Sequence, residues 1–379
     1  MTKQTIAFSA VDTLFFRESR PMEAQGELQS VFPPPIRTLA GALRTMIGEH
    51  KGINWSSFKA DHELAQVVGY GDDLGQLKLQ GAWLSLAGER LYQAPLTLLK
   101  QTAEDGGSDK LHCLQLDKQA TRCDLGKNVR LPKLPNDDAR GSKPLENHWL
   151  SQQGFESLLQ GTKMPELNDL TAESVLFERE SRLGIGRDND TRVVKKGLLY
   201  QTAHIRPNPA LSIEIDAEGV PNDMPTNAML RLGGEGRMAN IQNTEYAQSF
   251  PKLPSFQGAK GLALYLLTPL PIEKQGKDWQ PLPGFVREET ENQTIWRGTL
   301  NGVALTLHGA VTGKALREGG WNMAAREPRP VMSLTPAGSV FWCQPSGDIE
   351  AAAKALHDKH IGTLTEYGYG HLAVGVWND

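Results

Sequence analysis

The stretch Gln29-Ser-Val-Phe-Pro-Pro-Pro-Ile-Arg-Thr-Leu-Ala-Gly-Ala-Leu-Arg-Thr-Met-Ile47 decides how the rest of the chain is read. Three consecutive prolines, Pro33 to Pro35, fix φ and push each preceding residue out of the α region, so the approach is stiff and extended. Ile36, Leu39, Ala40, Leu43 and Ile47 then recur at helical spacing and form one apolar stripe. Gly41 and Ala42 leave room for a close approach. Arg37, Thr38 and Arg44 offer donors beside a helix N-terminus, a natural place for an anion. On its own the same pattern also describes an ordinary core helix after a turn.

Upstream, residues 4–11 are rich in β-branched and aromatic side chains and are expected as a strand. They lead into a polar loop, residues 12–21, that carries Arg17 and Arg20. A strand, an arginine loop and a helix therefore open the chain.

Downstream, residues 77–87 and 90–95 read as a hairpin, with a short helix before them near residues 62–68. Residues 101–143 are the least regular part, either a protruding hairpin or a loose surface loop. Residues 148–160 are expected as a short helix stopped by Gly161. Residues 178–197 carry six basic and four acidic side chains, with a turn at Asp188-Asn189-Asp190 between two strands. That hairpin places Arg182, Arg187, Arg192, Lys195 and Lys196 on an edge, as a phosphate clamp or simply a charged edge guard.

Residues 227–241 read as a short helix, the glycine turn Gly233-Gly234-Glu235-Gly236 and a strand. Residues 349–377 repeat that order, with Gly368, Gly370 and His371 in the loop, so a weak internal repeat is expected. A proline-rich linker at residues 249–258 divides the chain into residues 1–248 and 257–379. Residues 313–329 carry Lys314, Arg317, Arg326 and Arg329 against two acids. The fold class is α+β, with halves of the β-α-β-β-α-β kind.

Composition sets limits. With 379 residues, 39% hydrophobic and a net charge of −4, the chain suits a globular protein with a substantial core. A pI near 6.2 argues against unspecific attraction to nucleic acid but allows a local basic groove. Cys113, Cys123 and Cys343 are an odd, widely spaced set, expected as reduced thiols in the cytoplasm. No signal peptide, membrane span, metal or other cofactor is expected.

Glycine turns before strands can present amides to phosphate. Neither cluster is a Walker loop or a dinucleotide fingerprint. His371 is the best placed candidate acid or base, but no partner is evident in sequence. His204 and His308 are expected to be structural. Tyr367 and Tyr369 either stack bases or pack.

Several segments together resemble a known family. Residues 12–21, Phe32-Pro-Pro-Pro35 and Thr38-Leu-Ala-Gly-Ala-Leu-Arg44 resemble the opening of the third subunit of the Cmr complex, the type III-B CRISPR effector. Arg182-Leu-Gly-Ile-Gly-Arg-Asp188, with Thr191 and Gly197-Leu-Leu-Tyr200, is similar to the signature of repeat-associated mysterious proteins. Leu232-Gly-Gly-Glu235, Pro336-Ala-Gly-Ser-Val340 and Gly368-Tyr-Gly-His-Leu-Ala-Val-Gly375 complete the pattern. Glu18-Ser19 departs from it, since relatives carry a small Asp-Gly turn there. Nothing carries over to residues 101–170.

The resemblance implies two tandem ferredoxin-like domains of the RNA-recognition type, with insertions. It implies a non-catalytic subunit that holds the repeat-derived 5′ tag of a guide RNA, next to the large polymerase-like subunit and the first backbone subunit. RNA binding is then expected at Arg17, Arg20, Arg37, Thr38, Arg44, Arg182, Arg187, Lys196, Gly233, Gly234, Gly368, Gly370 and His371. Two alternatives stand beside it: a metal-independent repeat-cleaving ribonuclease of the same superfamily using His371, and a protein adaptor without RNA contact.

Overall fold

A computed structural model describes residues 3–19, 27–103, 107–245, 250–272 and 280–378, apart from the side chains of residues 195–198. The protein is mixed α and β, mostly strands with few helices. The strand Gln4–Ala10 sits inside an eight-stranded sheet. It pairs antiparallel with Leu211–Glu218 on one side and with Met238–Glu245 on the other. Its side chains alternate as a strand must: Ile6 and Phe8 point into the core, while Thr5, Ala7 and Ser9 face the opposite way.

The helix Ile36–His50 covers the apolar face of this sheet. It starts directly after Pro35, and the Thr38 N–H donates to the Pro35 carbonyl at 2.9 Å. The expected stripe is buried in full, joined by Ala42 and Met46. Leu39, Leu43 and Ile47 share one cluster with Ile6, Phe8, Leu84, Ile213, Ile215 and Ile241. Each such side chain contributes on the order of 2 kcal/mol by leaving water. Gly41 faces open space instead of a close neighbour, so the approach expected there is not made within this chain.

Four strands of the sheet lie in the order Met238–Glu245, Gln4–Ala10, Leu211–Glu218, Lys78–Leu86. The helix is the crossover between Gln4–Ala10 and Lys78–Leu86. Lys78–Leu86 forms the expected hairpin with Glu89–Gln93. The short helix expected within residues 227–241 is corrected: Asn227–Arg231 is an edge strand paired with Met238–Glu245. Leu230 is buried while Met229 and Arg231 are exposed, and that period of two outweighs the helix propensity of Met, Leu and Arg. Likewise, residues 148–160 begin as the strand His148–Leu150. Only Gln152–Leu159 is helical, with Ser151 Oγ accepting from the Gly154 N–H at 3.1 Å.

The second large sheet has seven strands. Its inner order is Val303–Val311, Val340–Pro345, Gly261–Leu266, His371–Trp377. The helix Ile349–Leu356, capped by Asp348, connects the second of these to the last. What recurs in the two halves is therefore a four-strand order, with the helix on the first crossover in one half and on the second in the other. The expected repeat of helix, glycine turn and strand holds only for the second half.

The halves share a third apolar cluster. It joins Trp83, Tyr92 and Phe155 to Tyr265, Trp342 and Trp377. The irregular region also crosses between them. Its hairpin Gln115–Cys123 with Gly126–Lys133 buries Leu116 and Val129, and the Lys127 N–H donates to Thr294 Oγ1 at 3.1 Å. The hairpin alternative is therefore the one the described residues show, and it packs against the second half through Leu116, Val129 and Lys127. No helix among the described residues is long and apolar enough to cross a membrane.

Candidate nucleic-acid interface

The arginine loop is zipped to the segment before the helix. The Val31 N–H donates to the Phe16 carbonyl and the Phe16 N–H donates to Ser30 Oγ, while Leu14 exchanges main-chain hydrogen bonds at 2.8 Å with Ile205 of the strand Val194–Pro207. Arg17 pairs with Ser30 through its backbone and leaves its side chain exposed. Arg20 lies outside the described residues. Ser19 Oγ accepts a 2.7 Å hydrogen bond from the Gly319 N–H, which brings an insert of the second half, residues 312–335, onto this loop.

Three arginines meet where the helix, the loop at residues 69–75 and this insert join. Arg37 is held by Glu318, Nε to Oε1 at 4.0 Å, with its side chain 16% exposed and its guanidinium 5.5 Å from the centre of the Tyr367 ring. Arg44 donates to the Gly71 carbonyl at 3.0 Å, and burial lowers its pKa. Arg329 pairs with Asp72; burial lowers its pKa and the charges of Arg37 and Arg44 lower it further. Glu318 is pushed upward by burial, and the Tyr369 hydroxyl donates to it. Three guanidiniums thus face three carboxylates, Asp72, Asp73 and Glu318, and because Glu318 ionises reluctantly the positive charge is not fully answered. Such an imbalance in a half-buried place favours an incoming anion. Thr38 is part-buried on the same helix, its N–H already used by Pro35.

The other expected contacts are not gathered here. Arg182 is bound by Glu180 at 2.7 Å and Asp12 at 3.3 Å, so its charge is answered within the chain. Arg206 and Arg237 also reach Asp12. Arg187 is exposed near the far end of the hairpin Phe177–Arg187 with Val194–Pro207. Lys196 belongs to that second strand, and its side chain lies outside the description. The hairpin also exposes large apolar groups, Leu183 at 73% among them.

The glycine loops require correction. Gly233 and Gly234 are exposed, but the Gly234 N–H donates to the Phe15 carbonyl at 2.8 Å. A Cβ on Gly233 would lie 2.4 Å from that same oxygen. The small residues let the arginine loop pass. Gly368, Gly370 and His371 are interior. The Gly368 N–H donates to the Thr365 carbonyl and the Gly370 N–H to the Pro269 carbonyl, both at 2.9 Å. His371 is 1% exposed, with Nε2 2.8 Å from Asp358 Oδ1 and its ring stacked 4.3 Å from that of His360. These amides are spent on the protein itself, and in this fold the loop is a joint between halves instead of a phosphate cradle. Tyr367 and Tyr369 are buried and pack.

The model of the family described as CRISPR-associated protein (Cas_Cmr3) matches residues 6–377. The chain belongs to the Cas_Cmr3 family. A search of curated proteins gives no match. Two solved structures share its fold. One is a chain of the type III-B Cmr-beta complex bound to cognate target RNA and AMPPnP, in state 1, with a TM-score of 0.50 and 15% identity over 89% of this chain and 86% of that one. The other is from Cmr-beta bound to cognate target RNA, with a TM-score of 0.51 and 14% identity over 97% of this chain and 96% of that one.

In this Cas_Cmr3 chain the sheet face opposite the helix is not built for bases. Thr5, Ser9, Ser212, Glu214 and Gln242 help line a shallow cavity of about 260 Å³ there, with no aromatic ring among its lining residues. Beside it Arg90 is buried and doubly bonded to Glu214 and Asp216 at 2.8–3.2 Å. Recognition of single-stranded RNA on a sheet needs rings to stack on. Sequence reading missed Asp72, Glu318 and the joint role of Arg329; the basic composition of residues 313–329 was the only signal.

Proposed function

We propose that the chain is a non-catalytic RNA-binding subunit of a type III-B CRISPR ribonucleoprotein effector, active in antiviral defence in the cytoplasm. It holds the repeat-derived 5′ tag of the guide RNA against the face made by the arginine loop, the Ile36–His50 helix and the insert. The observation that carries this reading is the convergence of Arg37, Arg44 and Arg329 beside Glu318, a carboxylate that burial keeps from ionising readily. The exposed apolar hairpin end at Leu183, Ile185 and Leu199 suits a second role, joining the large polymerase-like subunit to the backbone subunits. A ferredoxin-like core in each half is supported by the shared four-strand order and by one crossover helix in each, Ile36–His50 and Ile349–Leu356, and fits domains at residues 1–248 and 257–379.

A ribonuclease using His371 is disfavoured by that ring's burial, which keeps it out of reach of an RNA strand. Two assays test the proposal. Purified chain binds a guide RNA carrying its 5′ tag more tightly than the same RNA without it. Arg37→Gln with Arg44→Gln weakens that binding and flattens its salt dependence by about 1.4 in log–log slope. Equal binding of both RNAs overturns the reading. Repeat RNA incubated with the chain in chelator stays intact; cleavage abolished by His371→Ala would instead establish the enzyme.

A further inference from the structure

The insert carries a second feature that the arginine cluster does not use. Its strands Trp321–Asn322 and Glu327–Pro328 form a small hairpin. Asn322 Oδ1 accepts from the Ala324 and Ala325 N–H groups at 3.0 and 3.2 Å, and the Arg329 N–H donates to the Gly320 carbonyl at 2.9 Å. The tip is therefore stapled at both ends. On it Trp321 is 54% exposed and Met323 80% exposed.

Lys314, Arg317 and Arg326 are exposed on the same insert, and their side chains have no carboxylate or hydrogen-bond partner among the described residues. Arg90, Arg182, Arg206 and Arg297 each hold a carboxylate, whereas Arg122, Arg187 and Arg231, like the insert's cations, are exposed without one. An exposed indole on a stiff support, with unanswered cations on the same segment, matches what a single strand of RNA needs. Bases stack on the ring and phosphates meet the cations, with little regard to sequence. The Ser19–Gly319 hydrogen bond and the Arg329–Asp72 pair make this surface continuous with the arginine cluster.

We infer that Trp321 is a stacking platform for one nucleobase of a single-stranded RNA, flanked by phosphate contacts from Lys314, Arg317 and Arg326. The inference rests on the RNA-binding reading above and extends the bound strand beyond the three converging arginines.

The test uses the full chain and a fluorescent single-stranded guide RNA bearing its tag. Trp321→Ala is expected to bind about tenfold more weakly. Trp321→Phe, which keeps a ring, stays within a factor of about three of the parent. Arg317→Gln with Arg326→Gln lowers the salt slope by about 1.4. In oxidative footprinting, the RNA alone protects Trp321. If the parent binds and Trp321→Ala binds equally well, the platform is wrong while the wider reading survives. If the parent binds no RNA, both fall. Protection of Trp321 by a neighbouring protein subunit, with none from RNA, assigns the patch to protein and overturns the inference.

Discussion

The hydroxyl of Tyr367 donates a 2.9 Å hydrogen bond to the main-chain carbonyl of Asp72, so the last turn before the final strand is tied to a loop beside the first helix. Asp72 also receives Arg329, and the Tyr367 ring lies under Arg37. The joint between the halves and the candidate RNA surface are thus one structure. Tyr367→Phe removes the bond and leaves the ring, and is expected to cost about 1 kcal/mol. Urea unfolding measures it; an unchanged midpoint contradicts the joint.

Gly370 has φ +70°, and a Cβ there would lie 2.1 Å from the Ile361 carbonyl oxygen. Gly370→Ala is expected to cost more than about 4 kcal/mol and to leave little soluble protein. Gly41 is the opposite case, a helical position with open space around it. Gly41→Ala should stabilise by about 0.5–1 kcal/mol. Melting temperatures of the two variants check the pair.

Arg90 answers both Glu214 and Asp216 inside the protein. Arg90→Met leaves two buried carboxylates without their cation, at an expected cost of about 3–5 kcal/mol. Adding Glu214→Gln and Asp216→Asn should recover part of that loss. Denaturant midpoints of the single and triple variants decide.

The stacked histidines give a pH dependence of known sign. Burial pushes His360 down to about 4, and burial lowers His371 and His357 too. For Asp358, burial pulls upward, but the hydrogen bond and charge of His371, with Lys3 and Lys359, bring it below its ordinary value. Near the unfolded value of 6.5 and below, the unfolded chain takes up protons that the folded rings refuse. Stability is therefore full above that point and lost as pH falls towards 4. His360 alone accounts for about 2 kcal/mol by pH 5. Urea midpoints at pH 7 and pH 5 test this, with His360→Asn flattening the difference.

Much of the scaffold was legible in sequence. The triple proline and the stripe through Ile36, Leu39 and Leu43 are local signals, and the helix follows from them. The strands around Asp188-Asn189-Asp190 were equally local. Gly234 and Gly370 donate to Phe15 and Pro269, carbonyls distant in the chain that no pattern of spacing reveals, while Gly368 donates to the nearby Thr365. Of the two expectations for Arg182, the charged edge is the one its contacts support: Glu180 on its own strand answers it at 2.7 Å, a pairing across alternate residues visible in sequence, and Asp12 from another segment adds to it. The arginine cluster needed three segments to meet, and only the folded chain shows Arg329 beside Arg37 and Arg44.

On the proposed reading, RNA lies along the arginine loop, the first helix and the insert. Photocrosslinking of a tagged guide RNA to the chain within its assembled particle, with the attached peptides mapped by mass spectrometry, tests it most directly. Crosslinks are expected in residues 12–19, 29–44 and 312–331. Crosslinks confined to the polar sheet face around Thr5, Ser212 and Gln242, or none to this chain at all, would contradict it.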